Sequence, residues 1–327
     1  MRVAILGCGY VGLELARQLR DVHDVFGVRR STAGLEAVET TGATPVEADL
    51  TDANTYDRIP DVDHLVFAAS TGGRGADAAR ELYVSAQQSI RKHFEERSSP
   101  PDRYIYTSST GVYGDHDGAW VDEETTLDPR TDKTRALAAA ERVVLPTGTG
   151  GGTTDRENRR RGSTGSRRFD DEQPVHFQNG TPSTIDGTVV RLAGLYGPNR
   201  YRLERYLNGP VTEGYRNIIH RDDAAGVIGY LLEADLARNE VVLGVDDEPV
   251  DRWEFADWVA DECGLDAPPK QTVAERLEDD SPSSTVRRRI RTNKRCSNDK
   301  LHRLGYSFQY PTFRDGYRAA IERYCTG

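Results

Sequence analysis

The sequence predicts an α/β protein with a doubly wound parallel sheet and a small C-terminal α/β lobe. Two observations carry this prediction. The chain opens RVAILGCGYVGLELARQL, which reads as an apolar strand, a G-x-G-x-x-G turn at Gly7, Gly9 and Gly12, and an apolar-periodic helix. Strand-like and helical runs then alternate, as they do where parallel strands are joined by helical crossovers.

Strand-like runs fall at residues 3–6, 24–28, 43–48, 64–68, 104–108 and 189–192, and the strongest helical patterns at 11–20, 77–96, 133–145 and 223–233. In the first unit, Gly7 allows a tight turn out of the strand and Gly9 lets the backbone approach a pyrophosphate. Gly12 lets the helix lie close on the strand, and the helix start at Tyr10 and Val11 offers unpaired N–H groups to phosphate. A glycine turn that only packs is the alternative, but the strand before and the helix after it favour a Rossmann dinucleotide site. The second strand-like run ends in Arg29 and Arg30, followed by Ser31 and Thr32. Arginines there pair with the 2′-phosphate of NADP, whereas an acidic residue would select NAD. NADP is therefore the expected cofactor, with NAD as the alternative if both arginines merely face water. Asp49 and Leu50 follow the third run, where Asp49 either reaches the adenine side of the pocket or caps the turn before Asp52.

Composition bounds the rest. The chain has 327 residues, 36% of them hydrophobic and 29% charged, enough for one large core plus a small lobe. No apolar run is long enough to span a bilayer and no signal-peptide pattern opens the chain, so a cytoplasmic protein is expected. Net charge of −10 argues against a nucleic-acid-binding surface. Only five of the 43 basic residues are lysines, which with the acidic excess suggests a salt-adapted, halophilic source. Cys8, Cys263, Cys296 and Cys325 are far apart and form no C-x-x-C pair, so neither a zinc site nor a disulfide framework is expected. Cys8 stands where the glycine turn wants a small residue.

Two segments stand out from the alternation. Residues 147–180 are polar and glycine-rich without helical or strand period, and are expected to be a disordered insertion. Its arginines, Arg159, Arg160, Arg161, Arg167 and Arg168, fit a solvated loop better than a polyanion-binding patch. The run VRRRIRTNKR, residues 286–295, reads as a charged edge strand, with ligand phosphates as the alternative.

The run YIYTSSTGVYGD, residues 104–115, resembles the extended short-chain dehydrogenase/reductase superfamily, whose fifth strand ends Ser-Ser-x-x-Val-Tyr-Gly. RLAGLYGP (191–198) resembles that family's loop after strand six, NIIHRDDAAGVI (217–228) its Ile-His-x-x-Asp segment, and residues 241–265 and 297–317 its C-terminal elements. TSSTGVYG, RLAGLYGP and LGYSFQYP resemble, within it, the YeeZ-like group of atypical members. The resemblance implies a Rossmann domain over 1–146 and 187–235, with the small substrate lobe over 196–217 and 236–327. It implies that Ser109 binds the reacting oxygen, and that Ser108, Ala68, Ala69, Leu195 and Tyr196 join the cofactor set. A small-molecule substrate follows, a sugar nucleotide or another hydroxyl or carbonyl compound. Pairing through residues 78–94 and 136–144 into a homodimer follows as well.

One departure bears on mechanism. Family members carry a tyrosine and a lysine four residues apart on the helix after the fifth strand, so that the lysine lowers the tyrosine pKa and the phenol works as acid/base. Alignment on Glu141 puts Lys133 at the tyrosine position and Leu137 at the lysine position, and no Tyr-x-x-x-Lys occurs in the chain. Ser85 stands where many members carry an asparagine of the proton relay. Tyr113 is then a candidate proton donor, unless its ring packs under the loop. Lys133 is a candidate acid or anion binder, unless it is only a solvated helix start. His220 is expected to be structural and Asp223 to cap the helix that follows it. A non-catalytic NADP-binding module that has lost the pair is the competing function.

Overall fold

The computed structural model describes residues 1–72, 75–145, 184–278, 287 and 290–326. The expected insertion, with its five arginines, lies outside the described residues, as do Arg288 and Arg289. Seven strands form the central sheet: β1 (Arg2–Leu6), β2 (Asp24–Arg29), β3 (Thr44–Glu47), β4 (His64–Phe67), β5 (Arg103–Ser109), β6 (Asp186–Leu192) and β7 (Glu240–Gly244). Their order is β7-β6-β5-β4-β1-β2-β3, and every neighbouring pair is parallel. The sheet is thus wound outwards in both directions from β1 and β4. Strands covered on both faces are largely apolar, and residues 3–6 and 64–67 are buried without interruption.

The main helices are α1 (Tyr10–Leu19), α2 (Thr32–Glu39), α3 (Ala76–Arg80), α4 (Ala86–Glu95), α5 (Asp132–Val144), α6 (Arg221–Glu233), α7 (Arg252–Glu262) and α8 (Phe313–Thr326). The helical pattern over 77–96 is real but not uniform, because a π turn at Glu81–Ser85 joins α3 to α4. A capping box starts α5, with Thr131 accepting from the Thr134 N–H at 3.1 Å and Thr134 Oγ1 accepting from the Thr131 N–H at 2.9 Å. No helix among the described residues is long and apolar enough to cross a membrane.

Two apolar clusters fill the molecule. The larger one lies on both faces of the sheet. The smaller one gathers Tyr196, Ile218, Phe255, Phe313 and Tyr317, with Tyr196 stacked on Tyr317 at 4.7 Å.

Several expectations are corrected. Residues 240–244, assigned to the small lobe, form β7 of the central sheet, since their apolar run pairs with β6. Among the described residues of the basic run, Arg287 and Ile290 are helical, and the strand is limited to Arg295–Cys296, which pairs with Trp120–Val121. Cys263 and Cys325, 62 residues apart, are joined in a disulfide because α7 and α8 pack side by side in the small cluster, whereas Cys8 and Cys296 are free and buried. His220, not Asp223, caps α6, its Nδ1 accepting from the Asp222 N–H at 3.2 Å. Asp223 is buried and instead accepts from the Gln309 and Tyr310 N–H groups and the Tyr306 hydroxyl.

Candidate cofactor and catalytic cleft

A cleft of about 810 Å³ opens along the carboxyl ends of the strands where the winding reverses between β1 and β4, the place where open α/β sheets bind ligands. Gly7 takes φ +79°, and a Cβ there would overlap Ala69 at the end of β4. Gly9 starts α1 without any capping side chain, so the first-turn N–H groups beside Tyr10 and Val11 have no side-chain acceptor. Gly7, Gly9, Tyr10 and Val11 all line the cleft. Gly12 does not: a Cβ there would lie 2.9 Å from Ile5 Cγ2, so its part is to let α1 settle on β1.

Arg29 and Arg30 line one end with Ser31. The Arg29 guanidinium donates to the Cys8 carbonyl at 3.0 Å and lies under Gly9, which ties the end of β2 to the glycine turn. Arg30 pairs with Asp49 at 3.3 Å. Asp49 lines the cleft and also accepts from the Thr51 N–H and hydroxyl, which ties it into the turn before Asp52. Burial works against the Asp49 charge, but the Thr51 hydrogen bonds and Arg30 outweigh it and hold the carboxyl below its ordinary value. Leu50, Ala68 and Ala69 complete this half.

The other half is lined by Ser108 and Ser109 of β5, by Lys133 and Leu137 on one face of α5, and by Leu195. The Ser109 hydroxyl accepts from the Gly111 N–H at 3.1 Å, which fixes its rotamer and leaves its proton for an acceptor in the cleft. Ser108 donates to Glu141 at 2.6 Å, and Glu141 forms a buried pair with Arg191 at 2.8 Å. Burial opposes the Arg191 charge, yet Glu141 and Tyr113 hold that guanidinium above its ordinary value.

This network corrects two sequence assignments. Tyr113 is fully buried outside the cleft lining, its oxygen accepting from Arg191 at 2.6 Å and burial raising its pKa, so it is not a proton donor to a bound substrate. Tyr196 belongs to the small apolar cluster and does not line the cleft. Ser85 is exposed and outside the lining too, while Tyr83, two residues earlier, lines it. Sequence reasoning also missed Arg200, which lines the cleft with its guanidinium 3.9 Å from the centre of the Tyr10 ring, while the Tyr10 hydroxyl donates to the Pro198 carbonyl at 3.1 Å. The signal for Arg200 was its place just after RLAGLYGP. Among the described residues no group of acidic, histidine or cysteine side chains could hold a metal ion.

Residues 3–149 match the NAD dependent epimerase/dehydratase family, and that stretch holds the glycine turn, both arginines, Ser109 and Lys133. That stretch makes the chain similar to the epimerases and dehydratases of the extended short-chain dehydrogenase/reductase superfamily. The chain is 29% identical over 241 residues to protein YeeZ of Escherichia coli K12, covering 71% of this chain and 73% of YeeZ. A Methylobacillus flagellatus structure assigned as an NAD-dependent epimerase/dehydratase aligns over 99% of this chain and 98% of its own, at 25% identity and TM-score 0.69. DesIV of Streptomyces venezuelae, a dTDP-glucose 4,6-dehydratase with NAD bound, aligns over 100% and 98% at TM-score 0.70, its 20% identity showing the shared fold.

Proposed function

We propose that this chain is an NADP-dependent oxidoreductase or epimerase/dehydratase-like enzyme acting on a small hydroxyl or carbonyl compound, a sugar nucleotide among the candidates. The observation that carries this reading is one cleft that holds the glycine turn, Arg29 and Arg30 at one end and Ser109 with Lys133 at the other. The bound cofactor would supply hydride at its nicotinamide. Gly7, Gly9 and the start of α1 would take its pyrophosphate, with Arg200 as an added cation. Arg29, Arg30 and Ser31 would take the 2′-phosphate, matching planar guanidinium donors to phosphate oxygens.

Ser109 would donate to the reacting oxygen, and Lys133, exposed on the first turn of α5, would hold an anionic part of the substrate or carry a proton. The Ser108–Glu141–Arg191 network would keep the end of β5 and the face of α5 in fixed relation, so that Ser109 and Lys133 present themselves together. NADPH oxidation against a panel of sugar nucleotides and simple carbonyls tests the reading. Ser109→Ala is expected to lower kcat by about 100-fold, the scale of losing one donor to a developing oxyanion, with NADPH affinity unchanged. An undiminished kcat would sink the role of Ser109.

Leu137 at the position of the family lysine favours a second reading, a binding protein that takes up NADP without hydride exchange. It predicts tight NADPH binding with no turnover of any carbonyl.

A further inference from the structure

We propose that Tyr83 is the acid/base residue of this site, supplying from the opposite wall the phenol that α5 lacks; this rests on the oxidoreductase reading above. Three observations place it. Tyr83 lines the cleft together with Ser109, Lys133 and Leu137. It lies within the π turn at Glu81–Ser85, which packs against α5. Glu81, Leu82 and Tyr83 of this turn line the cleft in succession. Its hydroxyl accepts from the Thr71 N–H at 3.3 Å and finds no acceptor for its own proton among the described residues.

The other phenols near the site are committed elsewhere. Tyr10 spends its proton on the Pro198 carbonyl, and Tyr113 is buried away from the lining with Arg191 at its oxygen. Tyr83 is 3% exposed, so packing fixes its ring while it lines the cleft, the setting in which a proton donor is held in place. In the reduction direction the substrate carbonyl carbon accepts hydride from the reduced nicotinamide. The C=O π pair moves to oxygen, and that oxygen takes the Tyr83 proton while Ser109 donates to it. The products are an alcohol and a Tyr83 phenolate, which the Thr71 N–H stabilises and solvent reprotonates. Lys133 is then left to bind the substrate's anionic group.

The test is Tyr83→Phe in the full chain, which keeps the ring and removes only the hydroxyl. NADPH affinity is read by fluorescence, steady-state reduction with 4-nitrobenzaldehyde as probe, and the environment of the phenol by 19F NMR of 3-fluorotyrosine-labelled protein. The resonance missing in Y83F identifies Tyr83 in the wild type. The proposal expects that resonance to move when the wild type is saturated with NADPH. It also expects Y83F to bind NADPH within about twofold of wild type but to lose at least about 100-fold in kcat, with KM little changed. A wild-type kcat in Y83F, or a Tyr83 resonance indifferent to NADPH, overturns the assignment and leaves the oxidoreductase reading standing. NADPH binding without any reduction by the wild type removes that reading and the assignment with it.

Discussion

Glu141 shows how a residue with an unremarkable sequence context comes to organise the site. Read along the chain it served only as a point of alignment; in the fold its carboxylate joins Ser108 and Arg191, and both members of the ion pair are about 5% exposed. Glu141→Ala would leave the Arg191 charge buried with only Tyr113 beside it, and unfolding in urea should show a loss of about 3–5 kcal/mol. His220 makes a second prediction at this scale. Burial pushes its pKa down from 6.5 to about 4, against the pull of Asp222. The unfolded chain therefore takes up this proton near pH 6.5 while the folded chain does not, so stability falls as pH drops from 6.5 towards 4, by on the order of 3 kcal/mol. His220→Asn keeps a capping acceptor for α6 and should flatten that acid limb of the pH–stability curve. His64, also pushed down by burial, keeps part of it. The packing of the Tyr113 ring was legible as an alternative, but its partner was not, because Arg191, 78 residues away, reaches its hydroxyl.

Elements with their own periodicity were legible, and those made by tertiary pairing were not. The helix expected over 133–145 forms as Asp132–Val144, because its apolar face and its threonine cap agree. Thr131→Ala should cost about 1 kcal/mol by thermal or urea denaturation and loosen the first turn that carries Lys133. The edge strand expected over 286–295 appears, among the described residues, only as Arg295–Cys296 beside Trp120–Val121, a partner that no local pattern announced. Likewise the π turn at Glu81–Ser85 leaves no period of its own in a helical run. Tyr83 of this turn lines the cleft and Ser85 does not.

At the scale of the molecule, the winding of the sheet and the position of the cleft followed from the opening strand, turn and helix, since a glycine turn after the first strand lies beside the switch point by construction. What closes the small lobe did not follow. The disulfide between Cys263 and Cys325 depends on α7 and α8 meeting in the second apolar cluster, and their spacing of 62 residues carries no motif. Denatured, unreduced protein should titrate two thiols, those of Cys8 and Cys296, and all four cysteines after reduction. The central claim concerns the cleft as a cofactor site with a preference set by the end of β2. Its most direct test is a fluorescence titration of the purified chain with NADPH and NADH, with Arg29→Asp alongside. The account predicts that NADPH binds more tightly than NADH by about tenfold or more, the worth of a charge-assisted contact to phosphate, and that the variant loses this preference. Binding of neither nucleotide, or a preference unchanged in the variant, would contradict it.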